Sequence, residues 1–247
     1  MIEIINLVKS FNSHRVLDGA NLTVRDGETL VIIGRSGGGK TVLLKHMIRL
    51  MQPDAGQVIV DEKDLSQLNQ ENLKGLRLKF GMLFQGAALF DSLTVGENVA
   101  FPLREHTAMS EEMIRERVRE CLELVGLKGI EELKPAELSG GMRKRVGLSR
   151  ALALAPKVIL YDEPTTGVDP IMADAINLLI KELHDRLKVT SVAVTHDMVS
   201  AYKIADRIAM LHEGKIIQVG TPEEIRYTAN PLVKQFVLGI SEKGGIT

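Results

Sequence analysis

Eight residues, Gly34 to Thr41, read GRSGGGKT, and they follow the apolar run Leu30-Val31-Ile32-Ile33 directly. The pattern G-x-x-x-x-G-K-[ST] in that setting predicts a buried strand, a glycine-rich turn and a helix starting near Lys40. Only this geometry aims successive backbone N–H groups at one anion. Gly37, Gly38 and Gly39 let the chain close round a phosphate without Cβ clashes. Lys40 can reach β- and γ-phosphates, and the Thr41 hydroxyl can ligate Mg²⁺. Gly34, Arg35, Ser36 and Val42 complete the loop at its two ends. A merely glycine-rich loop would lack this context. The expected ligand is a nucleoside triphosphate.

At 247 residues, 45% hydrophobic and 26% charged, the chain suits one large α/β domain with room for an inserted subdomain. A net charge of −1 gives no global field that would attract nucleic acid, and none is expected as a partner, although a local basic patch stays open. The single cysteine, Cys121, excludes an internal disulfide, suits a reducing cytosol and is expected to pack in a helix. The opening residues MIEIINLVKSF alternate with polar positions and lack a signal-like apolar core. No window approaches the roughly 18 apolar residues of a membrane span. A cytoplasmic protein is expected, touching a membrane only through a partner.

Short apolar strand candidates recur at 2–7, 30–33, 58–60, 80–83, 158–161, 191–195 and 207–211. Several are continuous and β-branched, as in strands covered on both faces, and helical segments separate them. An α/β fold with a largely parallel sheet follows. The stretch 208–219, with Glu213-Gly214 in its middle, reads as a late hairpin. Between about 86 and 154 strands give way to helices. There Met113, Ile114, Val118, Cys121, Leu122 and Val125 fall at helical spacing behind Ser110, a good N-cap. This region reads as an inserted helical subdomain; a continuation of the same α/β domain is the alternative.

A second acidic element lies downstream, where Val158-Ile159-Leu160-Tyr161 ends in Asp162-Glu163. A carboxylate at the tip of a buried strand beside such a loop can hold Mg²⁺ through its water shell. Glu163, one position on, should point to the other side of the strand and reach a water in line with the γ-phosphate. Between the two elements sits LSGGMRKRVGLSRALALAP, 138–156. Ser139, Gly140 and Gly141 precede a helix carrying Arg143, Lys144, Arg145 and Arg150, which reads as a second phosphate-binding helix N-terminus. One nucleotide does not need two such surfaces. The second can close over the ATP of another copy of the chain.

The P-loop, Gln85, LSGGM, VILYDEP, GVD and THD occur in the order found in ATP-binding cassette (ABC) ATPases, and the resemblance covers about residues 1–230, leaving 231–247 as a short tail. It implies a P-loop NTPase (RecA-like) core with an N-terminal antiparallel β subdomain and an inserted α-helical subdomain. Carried across, Phe11, 23 residues before Gly34, is the aromatic that stacks on adenine, with Val16 alongside. Gln85 is the glutamine that touches Mg²⁺ and senses the transporter. Asp162 is the metal-holding carboxylate, Glu163 the general base, Asp169 the acid that couples two sites and His196 the γ-phosphate sensor. The implied ligands are ATP and Mg²⁺, and the implied partners are a second copy and a permease dimer. Two positions depart from the family pattern. Met142 stands where a polar Gln is common, and Val42 where Ser or Thr is usual; each loss is worth about 1 kcal/mol.

The wording LFQGAALFDSLTVGENVAFPLREHT resembles the ATPases of Mla/Mce-type phospholipid transporters, as does the SGGMRKRVGLSRALALAP run. That resemblance implies lipid traffic between the two membranes of a diderm bacterium and attachment to the cytoplasmic face of the inner one. It also implies a periplasmic lipid-binding partner. An importer for another small solute, and a non-transport cassette protein, are the competing expectations. Leu232, Val233, Phe236 and Val237 form an apolar stripe near the end, which can pack on its own domain or reach a partner.

Overall fold

The computed structural model describes residues 1–240. Along the chain come β1 (Ile2–Phe11), β2 (His14–Val24), β3 (Thr29–Ile33), α1 (Lys40–Met47), β4 (Ala55–Val60) and β5 (Lys63–Asp64). Then follow α2 (Gln70–Arg77), β6 (Phe80–Leu83), α3 (Val95–His106), α4 (Glu111–Leu124), α5 (Gly140–Leu152), β7 (Val158–Asp162) and α6 (Pro170–Leu187). The last are β8 (Thr190–Thr195), α7 (Met198–Ile204), β9 (Arg207–His212), β10 (Lys215–Gly220), α8 (Pro222–Arg226) and α9 (Pro231–Val237). The chain divides into two compact units: Met1–Gln67 with the described residues from Val194 onward, and Leu68–Ala193.

In the first unit an antiparallel sheet runs β2-β1-β4-β5, and a second sheet contributes the order β10-β9-β3. β3 is buried at all five positions, as its uninterrupted apolar run requires. It lies parallel to β9, with Leu30 opposite Arg207 and Ile33 opposite Met210. Asp206 fixes that start twice, its carboxylate accepting from Thr29 N at 2.8 Å and its own N–H donating to Thr29 O at 2.9 Å. The β9–β10 hairpin turns at Glu213 (φ 46°) and Gly214 (φ 76°), the two positive values a type I′ turn demands.

β2 is absent from the sequence expectations, and its packing explains why. Leu22 and Val24 continue the alternation of buried Ala20, but Leu17 falls out of phase because the β1–β2 register shifts between Leu7 and Val8; a further shift follows between Lys9 and Ser10. Bulges break the period-two signal that makes a strand legible.

The second unit contributes the strand order β8-β7-β6, with β6 and β7 parallel and Leu83 opposite Tyr161. No strand falls within 86–154; that stretch holds α3, α4 and α5, which pack on one another. α3 opens on a capping box, Thr94 with Glu97. α4 is capped by Ser110 and buries Ile114, Val118, Cys121 and Leu122, each apolar side chain worth about 1.5–3 kcal/mol. Met113, assigned to that stripe from its spacing, is 52% exposed, because it sits one position off the buried face. Cys121 is fully buried and its thiol is pushed up to about 11, as a packing role predicts. α5 is held at both ends: Ser139 caps its first turn, and Arg117 of α4 donates to Leu152 O (3.0 Å) and Ala153 O (3.1 Å) at its last.

Candidate functional site

The glycine-rich turn between β3 and α1 is shaped by contacts that side chains would prevent. A Cβ on Gly34 would meet Leu211 O at 2.4 Å, and one on Gly39 would meet Val16 Cγ1 at 2.9 Å. Gly37 and Gly39 have φ of 74° and 95°, the left-handed region. Gly38 N donates to Arg35 O at 3.1 Å, tightening the bend. α1 therefore starts at Lys40 with Gly39 as its N-cap, no side-chain cap and no acid in its first turn. Its positive end is left to a ligand, and an anion there is favoured by the helix dipole and the N–H groups together.

Lys40 is 5% exposed, and its ammonium donates back to Gly34 O (2.9 Å) and Arg35 O (3.1 Å). A buried ammonium needs such partners. The charge is thereby held within the loop, where triphosphate oxygens would meet it. Thr41 and Val42 are half-buried on the first turn, and Val42 O shares a 2.7 Å hydrogen bond with His46 Nδ1. Phe11 is 42% exposed, with the Lys9 ammonium over one face of its ring at 5.8 Å from the centre; Val16 is half-buried against Gly39. His196 is exposed just after β8, and with Arg35, Ser36, His212 and Phe236 it borders a cavity of about 370 Å³ that α9 helps to line. Val233 of α9 is fully buried, so the tail stripe packs at least partly on its own chain.

In the other unit β7 ends at Asp162, 4% exposed, and Glu163 follows at 8% with φ 48°. Strand alternation therefore does not aim Glu163, contrary to the sequence argument; a left-handed residue at the strand end does. Thr166 Oγ1 donates to Glu163 Oε2 at 3.1 Å, and Thr166 N donates to Glu163 O at 3.2 Å. Gln85 lies exposed at the head of a turn in which Ala87 (φ 60°) and Ala88 (φ 49°) also adopt left-handed conformations. Such strain persists only where surroundings enforce it. Here Arg150 does so, donating to Ala87 O (2.8 Å) and Ala88 O (2.7 Å), while buried Asn98 holds Phe90 N (2.8 Å).

Ser139 is exposed and accepts from Met142 N at 3.2 Å, leaving its own O–H to donate. Gly140 and Gly141 open α5; a Cβ on Gly141 would lie 2.4 Å from Met172 Sδ, so α6 packs closely there. The basic run behind them is not the phosphate surface its composition suggests. Arg143 is exposed, but Lys144 is 6% exposed and donates to Gln85 O and to Glu163 O, the latter at 3.2 Å. Burial lowers the Lys144 pKa, and the Asp162 and Glu163 carboxylates work against that shift. Arg145 turns toward Val125 O (3.4 Å). Asp169 caps α6, accepting from Ile171 N and Met172 N at 3.0 Å each. Within this unit, then, Gln85, Asp162 and Glu163 are gathered about Lys144, which the sequence reading places in a phosphate-binding run. Its place three after Gly141 and three before Gly147, on the buried face of α5, was the available signal.

A family model described as "ABC transporter" matches residues 17–166. The chain is 42% identical over 238 residues to the "Probable ribonucleotide transport ATP-binding protein mkl" of Mycobacterium tuberculosis, covering 96% of this chain and 66% of that one. It therefore spans about two thirds of the length of that relative. With the "Intermembrane phospholipid transport system ATP-binding protein MlaF" of Haemophilus influenzae it shares 42% identity over 242 residues, covering 98% of this chain and 92% of that one. Among solved structures, a dimeric ATP-binding cassette in a post-hydrolysis state bound to ADP and Pi superposes with a TM-score of 0.83 at 34% identity, covering 90% of this chain and 99% of that one. Motif order, the P-loop and these likenesses converge: the chain belongs to the ABC transporter family.

Proposed function

We propose that two copies of this chain enclose two ATP molecules and hydrolyse them to drive a membrane permease that moves phospholipid between inner and outer membranes. The observation that carries the ATPase part is the cradle round Lys40, where a Cβ on Gly34 or Gly39 would clash and the first turn of α1 has no side-chain cap. Arg35, Ser36, Gly37 and Gly38 complete that loop, and Phe11 with Val16 offers the base an apolar face. Thr41, Asp162 and Gln85 are the residues that would hold Mg²⁺. One hydroxyl, one carboxylate and one amide, with phosphate oxygens, suit that ion, which rarely takes an all-protein cage. When bound, Mg²⁺ neutralises charge building on the β- and γ-oxygens. Glu163 takes a proton from the attacking water as its oxygen bonds the γ-phosphorus, and the bond to the β,γ-bridging oxygen breaks to release ADP. His196 donates to the γ-phosphate. The partner's Ser139, Gly140 and Gly141 close the site from the second copy, and Asp169 links the two sites.

The permease part rests on a groove of about 340 Å³ lined by Phe80, Phe84, Phe90, Phe101, Pro102 and Leu154, suited to an apolar helix end. No helix among the described residues is long and apolar enough to cross a membrane, and a separate permease belongs to this reading. A place on the cytoplasmic face of the inner membrane and a periplasmic lipid-binding partner belong to the same reading. The MlaF likeness runs along 92% of that protein and supports phospholipid as cargo. The name of the mycobacterial relative favours a second reading, a nucleotide-related solute. Purifying the chain with its membrane partners and analysing bound lipid separates them. Phospholipid enriched in the complex is expected; none above a mock purification would reject the lipid reading.

A further inference from the structure

Lys144 lies one turn into α5, with its ammonium between two main-chain carbonyls, those of Gln85 and Glu163. These are equivalent points on neighbouring strands: Leu83 pairs with Tyr161, and each carbonyl belongs to the residue two further on. Glu163 sits in a left-handed conformation that a glutamate seldom adopts, and the turn after Gln85 contains two left-handed alanines. Both turns store strain and need an external hold. Ion-to-carbonyl hydrogen bonds in a site with little water are well suited to supply it. The lysine is only 6% exposed, so solvent cannot replace it. The helix it springs from is fixed by the Ser139 cap, the Arg117 contacts and the Arg150 grip on the same turn.

We infer that Lys144 is a positioning residue for ATP hydrolysis, holding the backbones of Gln85 and Glu163 in one register with α5. Its ammonium donates to the Gln85 and Glu163 carbonyls, so it acts on the reaction through those two residues. Through it, any shift of the Ser139 end of the helix is transmitted to the base of the same chain. The inference rests on the proposed roles of Glu163 and Gln85, and its test keeps the two apart.

Lys144→Met preserves the apolar stem and removes all three donors. In the full chain, kcat for ATP should fall on the order of 10²-fold, the scale at which small misplacements cost an active site. ATP affinity measured by calorimetry should stay within about threefold, because the P-loop is untouched. The variant leaves the Gln85 and Glu163 carbonyls short of a donor, so the thermal midpoint should drop by only a few degrees. Amides 85–88 should exchange hydrogen faster in this variant than in wild type. Lys144→Arg, which keeps cationic donors, should recover most of the lost rate. Wild-type kcat in Lys144→Met would overturn the inference, as would parallel losses of kcat, ATP affinity and melting temperature, which mark a structural lysine. Glu163→Gln is the control. Normal hydrolysis there would overturn the underlying reading itself, whereas an inactive Glu163→Gln beside a fully active Lys144→Met would sink the Lys144 role alone.

Discussion

Lys40, Glu163 and His46 are all nearly hidden from solvent, and each implies a different experiment. Lys40 spends its ammonium on two loop carbonyls, an arrangement that a triphosphate can join without reorganising the fold. Lys40→Ala should weaken ATP binding at least about 10²-fold, the usual cost of truncating one side of a buried charged contact. An unchanged dissociation constant by calorimetry would count against the P-loop role. Glu163→Gln keeps shape and loses the base, so hydrolysis should slow at least about 10²-fold while ATP still binds. Near-normal turnover of that variant would reject the assignment. His46 is 1% exposed, and burial lowers its pKa more than the Val42 carbonyl raises it. Its neutral form is therefore favoured when folded. Between the folded pKa and the unfolded value near 6.5 the unfolded chain binds more protons, so this contribution is complete above about pH 6.5 and is lost as pH falls through the folded pKa. Urea unfolding at several pH values should show a steeper acid loss for wild type than for His46→Gln; parallel curves would remove His46 as the cause.

Among elements, α5 carries the most consequence, since its first turn, its buried face and its last turn each do separate work. Ser139→Asp tests the first turn cleanly. Aspartate caps a helix as well as serine does, so the melting temperature should hold. A carboxylate placed where the proposed partner's γ-phosphate sits should nonetheless abolish ATP-driven association, read by light scattering. Dimers of normal affinity in that variant would mean that the signature end of α5 never meets a triphosphate. What could be read in advance also divides by element. β3, β6, β7, β8 and β9 were legible because unbroken apolar runs leave little ambiguity, and the α1 start at Lys40 followed from the glycine spacing. β2 was hidden by its bulges, and two-residue β5 is too short to show a period. The aim of Glu163 was misread because a strand rule was applied one residue past the strand's end. Lys144 was misread because three basic residues behind a glycine-rich helix start look like a phosphate-binding surface, although helical geometry sends one of them inward.

For the whole molecule, two phosphate-directed helix ends in one chain are economical only if they serve different nucleotides. α1 offers its uncapped N-terminus in one unit, and α5 offers an exposed Ser139 hydroxyl in the other. The chain superposes on an ATP-binding cassette that was solved as a dimer bound to ADP and Pi. The most direct test is the solution mass of Glu163→Gln measured by sedimentation with and without ATP and Mg²⁺. The 27.2 kDa chain should run as a monomer alone and double its mass when ATP is saturating. A monomer at every ATP concentration, with calorimetry showing the nucleotide bound, would contradict the two-copy engine.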